Sequence, residues 1–172
     1  GIVGIPEIKA GDDLANLIVQ AAQHQNLPIE QNDILVVTQK IVSKAEGRVV
    51  RLEDIQPSLI AIQLSEWHHR DPRHTQVILQ ESTRIVRMDR GNIISEPRHG
   101  FNCANAGVDA SNVPDEGTVA LLPIDPDASA EMLRRGIKER LGMEVAVIIS
   151  DTFGRPWREG AVNVAIGVAG MN

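Results

Sequence analysis

The spacing of apolar positions changes several times along the chain, and each change predicts a boundary between a helix and a strand. In DDLANLIVQAAQHQ (residues 12–25), apolar residues recur at helical spacing behind an aspartate cap, which predicts an amphipathic helix. ILVVTQ (34–39) is a continuous apolar run of the kind found in strands buried on both faces. KIVSKAEGRVVRL (40–52) predicts a short helix, a stop at Gly47 and a second strand.

The rest of the chain continues this alternation. PSLIAIQLSEWHH (57–69) and PRHTQVILQESTRIVRM (72–88) each open with a proline near the first turn, which predicts two helices. The pattern then predicts a hairpin turning at PRHG (97–100), a strand at TVALLP (118–123), a helix over 125–142 and a strand at EVAVIIS (144–150). GIVGI (1–5) has the pattern of a strand interior, and no element is predicted for AIGVAGMN (165–172).

Composition narrows the fold class to a mixed α/β (α+β) fold, with mixed sheets and flanking helices. Of the 172 residues, 42% are hydrophobic but only 2% are aromatic, so the core has to be built from Val, Ile, Leu and Ala. A chain of this length forms one large domain or two small ones.

Charge, cysteine content and hydropathy exclude several functional classes. A formal net charge of -6 argues against a general nucleic-acid-binding protein, which needs a basic face. The single Cys103 excludes an intramolecular disulfide and a cysteine-cluster metal site, and is expected to be a small buried residue. No apolar stretch approaches the length of about 20 residues that a membrane-spanning helix needs. We therefore expect a cytoplasmic protein that binds neither nucleic acid nor membrane.

Three polar clusters interrupt the apolar pattern, each at the end of a predicted strand or in the turn after it, where open sheets bind ligands. The first, TQKIVSKAEGR (38–48), repeats Lys40, Lys44 and Arg48 at four-residue intervals, so a helical turn would place all three on one face. Such a face suits a polyphosphate group, but the same spacing is common on solvated helix faces. The residues alone leave both interpretations open.

The second cluster, NAGVDASN (105–112), combines small residues with oxygen-bearing side chains. Asp109 is a candidate ligand for a hard cation, because Mg²⁺ and Mn²⁺ take carboxylate oxygens together with substrate phosphates. The alternative is an Asx turn in which Asp109 and Asn112 bond to their own backbone.

The third cluster, SDTFGRPWREG (150–160), follows a strand of bulky aliphatic residues. A strand that ends in an aspartate is a common way to present a metal-binding carboxylate, and the Thr152 hydroxyl could add an oxygen to Asp151. Arg155 and Arg158 are spaced to neutralise phosphate or carboxylate groups of a substrate. The alternatives are that Asp151 only caps the next turn and that Arg158 only pairs at the surface.

Together these segments resemble the coenzyme F420-0:gamma-glutamyl ligase family. The resemblance lies in GIPEIKAGDDL (4–14), SKAEGR (43–48), NAGVDASN (105–112), LLPIDPDASAEMLRRGI (121–137) and SDTFGRPWREGAVNVAIGVAG (150–170). It implies a ligase that uses GTP to add L-glutamate to the deazaflavin precursor F420-0, forming an amide bond through an acyl phosphate. It also implies two lobes around a cleft and a homodimer.

The same resemblance implies site residues, position by position. The nucleotide-contacting positions are Ile5, Pro6, Glu7, Ile8, Gln39, Lys40, Lys44 and Asn112, and the metal-binding positions are Asp109, Asp151 and Thr152. An acid at Glu7 is unexpected beside a guanine nucleotide, so we expect only its backbone to make contact. Two divalent ions, Mg²⁺ or Mn²⁺, are implied, and the resemblance also allows for K⁺. No residue is assigned a catalytic role, and Arg155 and Arg158 stay hypothetical substrate contacts.

Residues 1–172 are expected to form the gamma-glutamyl ligase domain without the family's C-terminal segment, which supplies further nucleotide and metal contacts. DTFGRPWR (151–158) also resembles the ligase portion of two-domain forms that carry a flavin-binding, nitroreductase-like domain downstream. Two other functions are weighed against the ligase. One is a different nucleotide-dependent ligase of carboxylates and amines, and the other is a non-catalytic nucleotide-binding and dimerisation fragment.

Overall fold

The computed structural model describes residues 1–89, 92–111, 117–155 and 158–171, without the side chains at positions 68, 154, 155, 158, 159 and 161. The chain divides into two compact units. The first comprises Gly1–Arg48, Pro123–Thr152 and Asn163–Asn172, and the second comprises Val49–Leu122 and Phe153–Val162. Both units are therefore assembled from segments that are distant in sequence.

Helices and strands follow one another in a mixed order along the described chain. The helices are α1 (Leu14–His24), α2 (Gln39–Ala45), α3 (Leu59–His68), α4 (Pro72–Glu81) and α5 (Pro126–Leu141). The strands are β1 (Ile34–Thr38), β2 (Val49–Arg51), β3 (Ser82–Asp89), β4 (Asn92–Pro97), β5 (Cys103–Ala104), β6 (Thr118–Ala120), β7 (Ala146–Arg155) and β8 (Arg158–Ala169). Short 3₁₀ turns span Leu52–Asp54 and Asn105–Gly107.

The first unit is built on a sheet with the strand order β1–β7–β8. Strands β1 and β7 are parallel and pair from Ile34 opposite Ala146 to Thr38 opposite Ser150. The core between the sheet and helices α1 and α5 is aliphatic and includes Leu14, Ile18, Val19, Val37, Leu133, Ile137, Val147 and Ile149. Each such side chain stabilises the fold by about 1.5–3 kcal/mol on full burial.

Local sequence explains how α1 and α5 begin and how closely they pack. The carboxylate of Asp13 accepts a hydrogen bond from Asn16 N, and that of Asp125 accepts one from Ala128 N, both at 3.0 Å. These are N-caps, which satisfy backbone donors that the first helical turn leaves unpaired. Gly136 allows the two helices to approach, because a Cβ there would lie only 2.7 Å from Ala15 Cβ.

The second unit contains two small antiparallel sheets. Strand β2 pairs with β6, and the other sheet has the order β3–β4–β5. The hydrophobic core of the second unit includes Leu52, Val77, Ile78, Ile93, Val108, Val119 and Leu121. The rings of Phe101 and Phe153 stack in this unit, with their centroids 5.4 Å apart.

Most of the predicted elements are confirmed. The mixed α/β (α+β) class, the helices over 12–25 and 125–142, and the strands at 34–39 and 144–150 all appear. The hairpin at 97–100 is confirmed as well, since Gly100 N donates to Pro97 O at 3.0 Å between β4 and β5. Cys103 is buried, as predicted. Among the described residues, no helix combines the length and apolar character needed to cross a membrane.

The predicted helix over 72–88 is wrong in its second half. Helix α4 ends at Glu81, and Ser82 is already extended, with φ −93° and ψ 130°. STRIVRMD (82–89) then pairs with β4 as a strand. No glycine or proline separates the two patterns, so the residues offer no local signal for the boundary.

Three predictions at the strands of the first unit are also wrong. GIVGI lies in no strand, whereas AIGVA (165–169) belongs to β8. Strand β1 is not buried on both faces, because Ile34 is 57% exposed and Val36 is 64% exposed. The small residues of β8 reflect close packing, since a Cβ on Gly167 would lie 2.4 Å from the backbone of Pro126.

Candidate nucleotide and metal site

Two of the predicted site segments begin where the parallel pairing of β1 with β7 ends. Thr38 of β1 is paired with Ser150 of β7, and this is the last pair of their register. Gln39 and Asp151 are the residues that follow directly. Open sheets commonly bind ligands beyond the carboxyl end of a strand, which here is the end of β1.

Gln39 begins α2 and is buried, with 3% of its surface exposed. Its Oε1 accepts a hydrogen bond from Ser43 Oγ at 2.9 Å, one turn along the helix. The next residue, Lys40, is half-buried. The side chain of Gln39 is therefore fixed against the first turns of α2.

Lys44 is buried rather than solvated. Its ammonium donates to Glu7 Oε1 at 2.5 Å, while its side chain is only 9% exposed and that of Glu7 is 61% exposed. The interpretation of the lysines as a solvated basic face is therefore wrong for Lys44. The Glu7 side chain, for which only a backbone role was expected, supplies the charge that balances this lysine.

The segment that contains Glu7 also lines a cavity of about 620 Å³. The cavity is bordered by Ile5, Pro6 and Glu7 on one side and by all five residues of β1 on the other. Ile8 points elsewhere and is buried in the core of the first unit. The exposed face of β1 is thus the wall of a cavity that reaches the predicted nucleotide-contacting segment.

Asp151 and Thr152 lie inside β7 rather than at its end, which corrects the predicted strand boundary. The carboxylate of Asp151 accepts from Thr152 N at 2.8 Å. The hydroxyl of Thr152 donates to Asn163 Oδ1 of β8 at 2.6 Å, so the hydroxyl oxygen keeps its lone pairs for another partner. Both side chains present the hard oxygen donors that Mg²⁺ and Mn²⁺ prefer.

Asp109 belongs to the second unit. Its backbone exchanges two hydrogen bonds with Ala120, at 2.9 and 2.8 Å. Its Oδ1 accepts from Ser111 N at 2.7 Å, and its Oδ2 accepts from Ser111 Oγ at 2.9 Å. The predicted Asx turn is therefore confirmed for Asp109, and it holds the carboxylate in one orientation.

A histidine on the first turn of α4 shares the surroundings of Asp109. His74 Nε2 is buried and has no hydrogen-bond partner within the described part of the chain. Burial lowers the pKa of His74 below its usual value, and the positive charge of Arg70 lowers it further. Asp71 and Asp109 oppose the shift. Arg70 and Asp109 therefore both lie within electrostatic reach of His74.

Some predicted site residues are outside the description. These are Asn112 and the side chains of Arg155 and Arg158. In the ranges that are described, no group of three or more His, Cys, Asp and Glu residues is placed to hold a metal ion by itself. Mg²⁺ and Mn²⁺ commonly complete their coordination with substrate phosphates and water, so carboxylates that do not form such a group can still take part in a metal site.

Three partners of the predicted site residues were not recognised from the sequence. They are Asn163, Ser43 and the Glu7 side chain, which contact Thr152, Gln39 and Lys44 respectively. The four-residue spacing of Ser43 from Gln39 is a local signal that could have indicated that contact. Glu7 lies 37 positions from Lys44, so only the folded chain brings them together.

A family model and individual relatives both match this chain over nearly its whole length. The family model described as F420-0:Gamma-glutamyl ligase matches residues 2–172. The chain is 51% identical to the coenzyme F420:L-glutamate ligase of Methanothermobacter thermautotrophicus, over 100% of this chain and 68% of that protein. It is 49% identical to the enzyme of the same name from Methanopyrus kandleri, over 96% of this chain and 63% of that protein.

A third relative, the coenzyme F420:L-glutamate ligase of Methanocaldococcus jannaschii, is 45% identical over 97% of this chain and 65% of its own length. The chain thus spans about two thirds of the length of these relatives. The family match and these identities extend over both compact units. The chain belongs to the F420-0:gamma-glutamyl ligase family of enzymes.

Proposed function

We propose that the full-length protein joins L-glutamate to F420-0 through an amide bond, with GTP as the phosphoryl donor. The family match over residues 2–172 is the observation that carries this proposal. The pairing of β1 with β7 supports it, because their register ends at Thr38 and Ser150, directly before Gln39 and Asp151. Phosphate-binding and cation-binding groups would then meet at one sheet edge.

The chemistry requires the substrate carboxylate to be activated before an amine can attack it. A carboxylate oxygen of F420-0 bonds to the γ-phosphorus of GTP as the bond from that phosphorus to GDP breaks. The amine of L-glutamate then attacks the carbonyl carbon, the amine loses a proton, and the carbon–oxygen bond to phosphate breaks. GDP, phosphate and the amide are the products.

Residues of this chain would supply positioning and charge for the phosphoryl transfer. Lys40 and Lys44 would offset phosphate charge, and Ile5, Pro6 and Glu7 would border the nucleotide in the 620 Å³ cavity. Asp109, Asp151 and Thr152 fit divalent cations, because all three offer hard oxygen donors. Such cations, when bound, neutralise charge on the phosphate oxygens. The proposed roles of Asn112, Arg155 and Arg158 rest on the motifs alone.

The decisive experiment incubates the full-length protein with F420-0, GTP, Mg²⁺ or Mn²⁺, and L-glutamate, followed by mass analysis. We expect F420-0 to gain the mass of a glutamyl residue and GTP to be converted to GDP. The Asp151→Asn variant is the matched control, since it keeps the shape of the side chain but removes its charge. Absence of the mass gain with the wild-type protein would refute the proposal.

Two alternative functions give different results in related experiments. A ligase for another carboxylate would convert GTP to GDP with a different acid and leave F420-0 unchanged. A non-catalytic nucleotide-binding fragment would bind GTP in calorimetry but form no amide product. A chain that bound no GTP in the presence of Mn²⁺ would not be an active ligase by itself.

A further inference from the structure

The backbone turns left-handed for three consecutive residues just before Asp109. The φ angles are 55° at Asn105, 53° at Ala106 and 73° at Gly107. A left-handed conformation costs about 1–2 kcal/mol for each ordinary L-residue, less for asparagine, and little for glycine. Ala106 is therefore the strained residue, and the surrounding structure has to hold it in place.

Two contacts hold this turn from outside. Arg70 Nη1 donates a hydrogen bond to Asn105 Oδ1 at 2.8 Å, across 35 positions of sequence. Leu122 packs so closely on Gly107 that a Cβ at this glycine would lie 2.6 Å from Leu122 Cγ. Ala106 itself is 2% exposed. The conformation of the turn is thus fixed by burial and by one guanidinium.

Arg70 reaches the turn from a fixed position of its own. It follows His69, which ends α3 in the left-handed conformation with φ 51°. The backbone N–H of Arg70 donates to Ser65 O at 3.2 Å, within the last turn of α3. The guanidinium is therefore presented by an anchored backbone rather than by a long loop.

The turn leads directly to Asp109. Val108 N donates to Asn105 O at 2.9 Å, and Asp109 then pairs with Ala120 through its backbone. An error in the direction of the turn would move the carboxylate of Asp109 away from the position that its Asx turn and Ala120 define. Contacts of this kind orient metal ligands in many proteins without touching the metal.

We propose that Arg70 is a positioning residue for Asp109: by holding Asn105 it fixes the left-handed turn and so orients the carboxylate toward a divalent cation. This inference rests on the proposed function, in which Asp109 binds such a cation. Arg70 acts through Asn105 and the backbone.

The positive charge of Arg70 and its proposed positioning role have opposite effects on Mn²⁺ affinity. A nearby positive charge disfavours cation binding, so loss of that charge alone would strengthen the binding of Mn²⁺. Loss of a positioning contact would weaken it. The Arg70→Gln variant therefore separates the two roles by the sign of the change, and a purely structural role would change stability while leaving Mn²⁺ affinity in the folded protein as it was.

The test measures Mn²⁺ binding to the full-length protein by electron paramagnetic resonance of the free ion. We expect Arg70→Gln to weaken the binding of one Mn²⁺ about tenfold, as loss of a contact behind a metal ligand commonly does. Arg73→Gln is the matched control, because Arg73 is three residues away and forms an ion pair with Asp71. We expect this control to bind Mn²⁺ as tightly as the wild type or more tightly.

Two variants of Asn105 keep the test valid if Arg70→Gln fails to fold. Asn105→Gly tolerates the positive φ but removes the oxygen that accepts from Arg70, so we expect weaker Mn²⁺ binding in a folded protein. Asn105→Asp keeps an acceptor for the guanidinium, and we expect it to retain affinity. Ala106→Gly, added to Arg70→Gln, relieves the backbone strain and should restore part of the lost affinity.

The Asp109→Asn variant separates failure of this inference from failure of the proposed function. If Asp109→Asn weakens Mn²⁺ binding but Arg70→Gln and Asn105→Gly do not, Arg70 is not a positioning residue. If Asp109→Asn leaves Mn²⁺ binding unchanged, the assignment of Asp109 as a ligand is wrong, and the inference falls with it.

Discussion

At the scale of single residues, the pair formed by Lys44 and Glu7 links the motif SKAEGR to the N-terminal segment. The lysine is nearly buried, and the carboxylate that balances it is largely exposed. A buried ammonium is costly when its partner is removed, because its charge is then left uncompensated. The exposure of Glu7 reduces this cost, since water screens the pair from one side.

We predict that Glu7→Gln lowers the free energy of unfolding by about 1–2 kcal/mol, at the low end for a contact to a charged group because Glu7 is largely exposed. Chemical denaturation measures the change. A double-mutant cycle with Lys44→Met isolates the pair, and we expect a coupling energy of about 1 kcal/mol. Additive effects of the two substitutions would show that the contact does not stabilise the protein.

The burial of Lys44 is an example of a residue property that could not be predicted from the sequence. The types of the site residues could be read from the sequence, because carboxylates, hydroxyls and lysines suggest phosphate and cation chemistry wherever they cluster. Their partners could not, since Glu7 and Asn163 are brought to Lys44 and Thr152 only by tertiary packing. The left-handed turn at Ala106 was equally hidden, because alanine rarely adopts this conformation.

At the scale of secondary-structure elements, ion pairs connect the second half of α5 to Glu144, which lies just before β7. Arg134 bonds to Glu131 within the helix and to Glu144 just before the strand. Arg135 also pairs with Glu131, and together the arginines lower the pKa of Glu131 from 4.5 to about 2, with Arg134 as the larger cause. Lys138, followed by Arg134, lowers the pKa of Glu144.

The sign of the resulting pH dependence follows from these lowered values. A carboxyl group with a lower pKa in the folded state stabilises the protein above its unfolded pKa, and this contribution is lost as the pH falls. We predict that the melting temperature drops as the pH is lowered from 4.5 toward 2, and that Glu131→Gln makes the drop shallower. Thermal unfolding over this pH range measures both curves. Identical slopes for wild type and variant would contradict the prediction, and high salt should weaken the effect.

Strand β8 depends on a glycine that has no room for a side chain. A Cβ on Gly167 would lie 2.4 Å from two backbone atoms of Pro126, at the start of α5, which cannot move aside as a flexible side chain could. We predict that Gly167→Ala destabilises the protein by about 2–3 kcal/mol, as overpacking in cores does. Urea denaturation checks this, with Ala165→Ser at an exposed position of the same strand as the control. Equal stability of the two variants would show that the contact is not tight.

The elements that the sequence predicted well are those with local signals. Helices α1 and α5 carry aspartate caps, and α5 also ends at a glycine with φ 68°. Strand β8 was missed because its pairing with β7 and its contact with α5 select small residues that look unremarkable in isolation. Strand β3 was missed because it follows α4 without an intervening turn.

At the scale of the whole molecule, apolar side chains remain exposed on the single chain. Leu59, Ile60 and Trp67 of α3 are 78%, 63% and 82% exposed. The chain has two tryptophans, Trp67 and Trp157, so a Trp157→Phe variant reports on α3 alone. If the chain forms the predicted homodimer, this reporter detects a second copy that covers α3.

We predict that Trp67 in the Trp157→Phe variant emits like a solvated indole and is readily quenched by iodide at low protein concentration. The physical reason is the exposure of the ring on the single chain. Fluorescence over a concentration series, beside sedimentation of the same samples, is the measurement. A blue-shifted, protected emission in the monomer would contradict the exposure of α3. The same change appearing only with dimerisation would identify α3 as part of the interface.

The burial of the only cysteine makes a kinetic reporter available in the second unit. Cys103 is 5% exposed in β5, two residues before the left-handed turn. A thiol reagent can reach its sulfur only in molecules where the hairpin of β4 and β5 has opened, so the labelling rate reports the free energy of that opening. Thiol labelling of the wild-type sequence can thus measure the local stability around the turn that precedes Asp109, with no metal, nucleotide or substrate present.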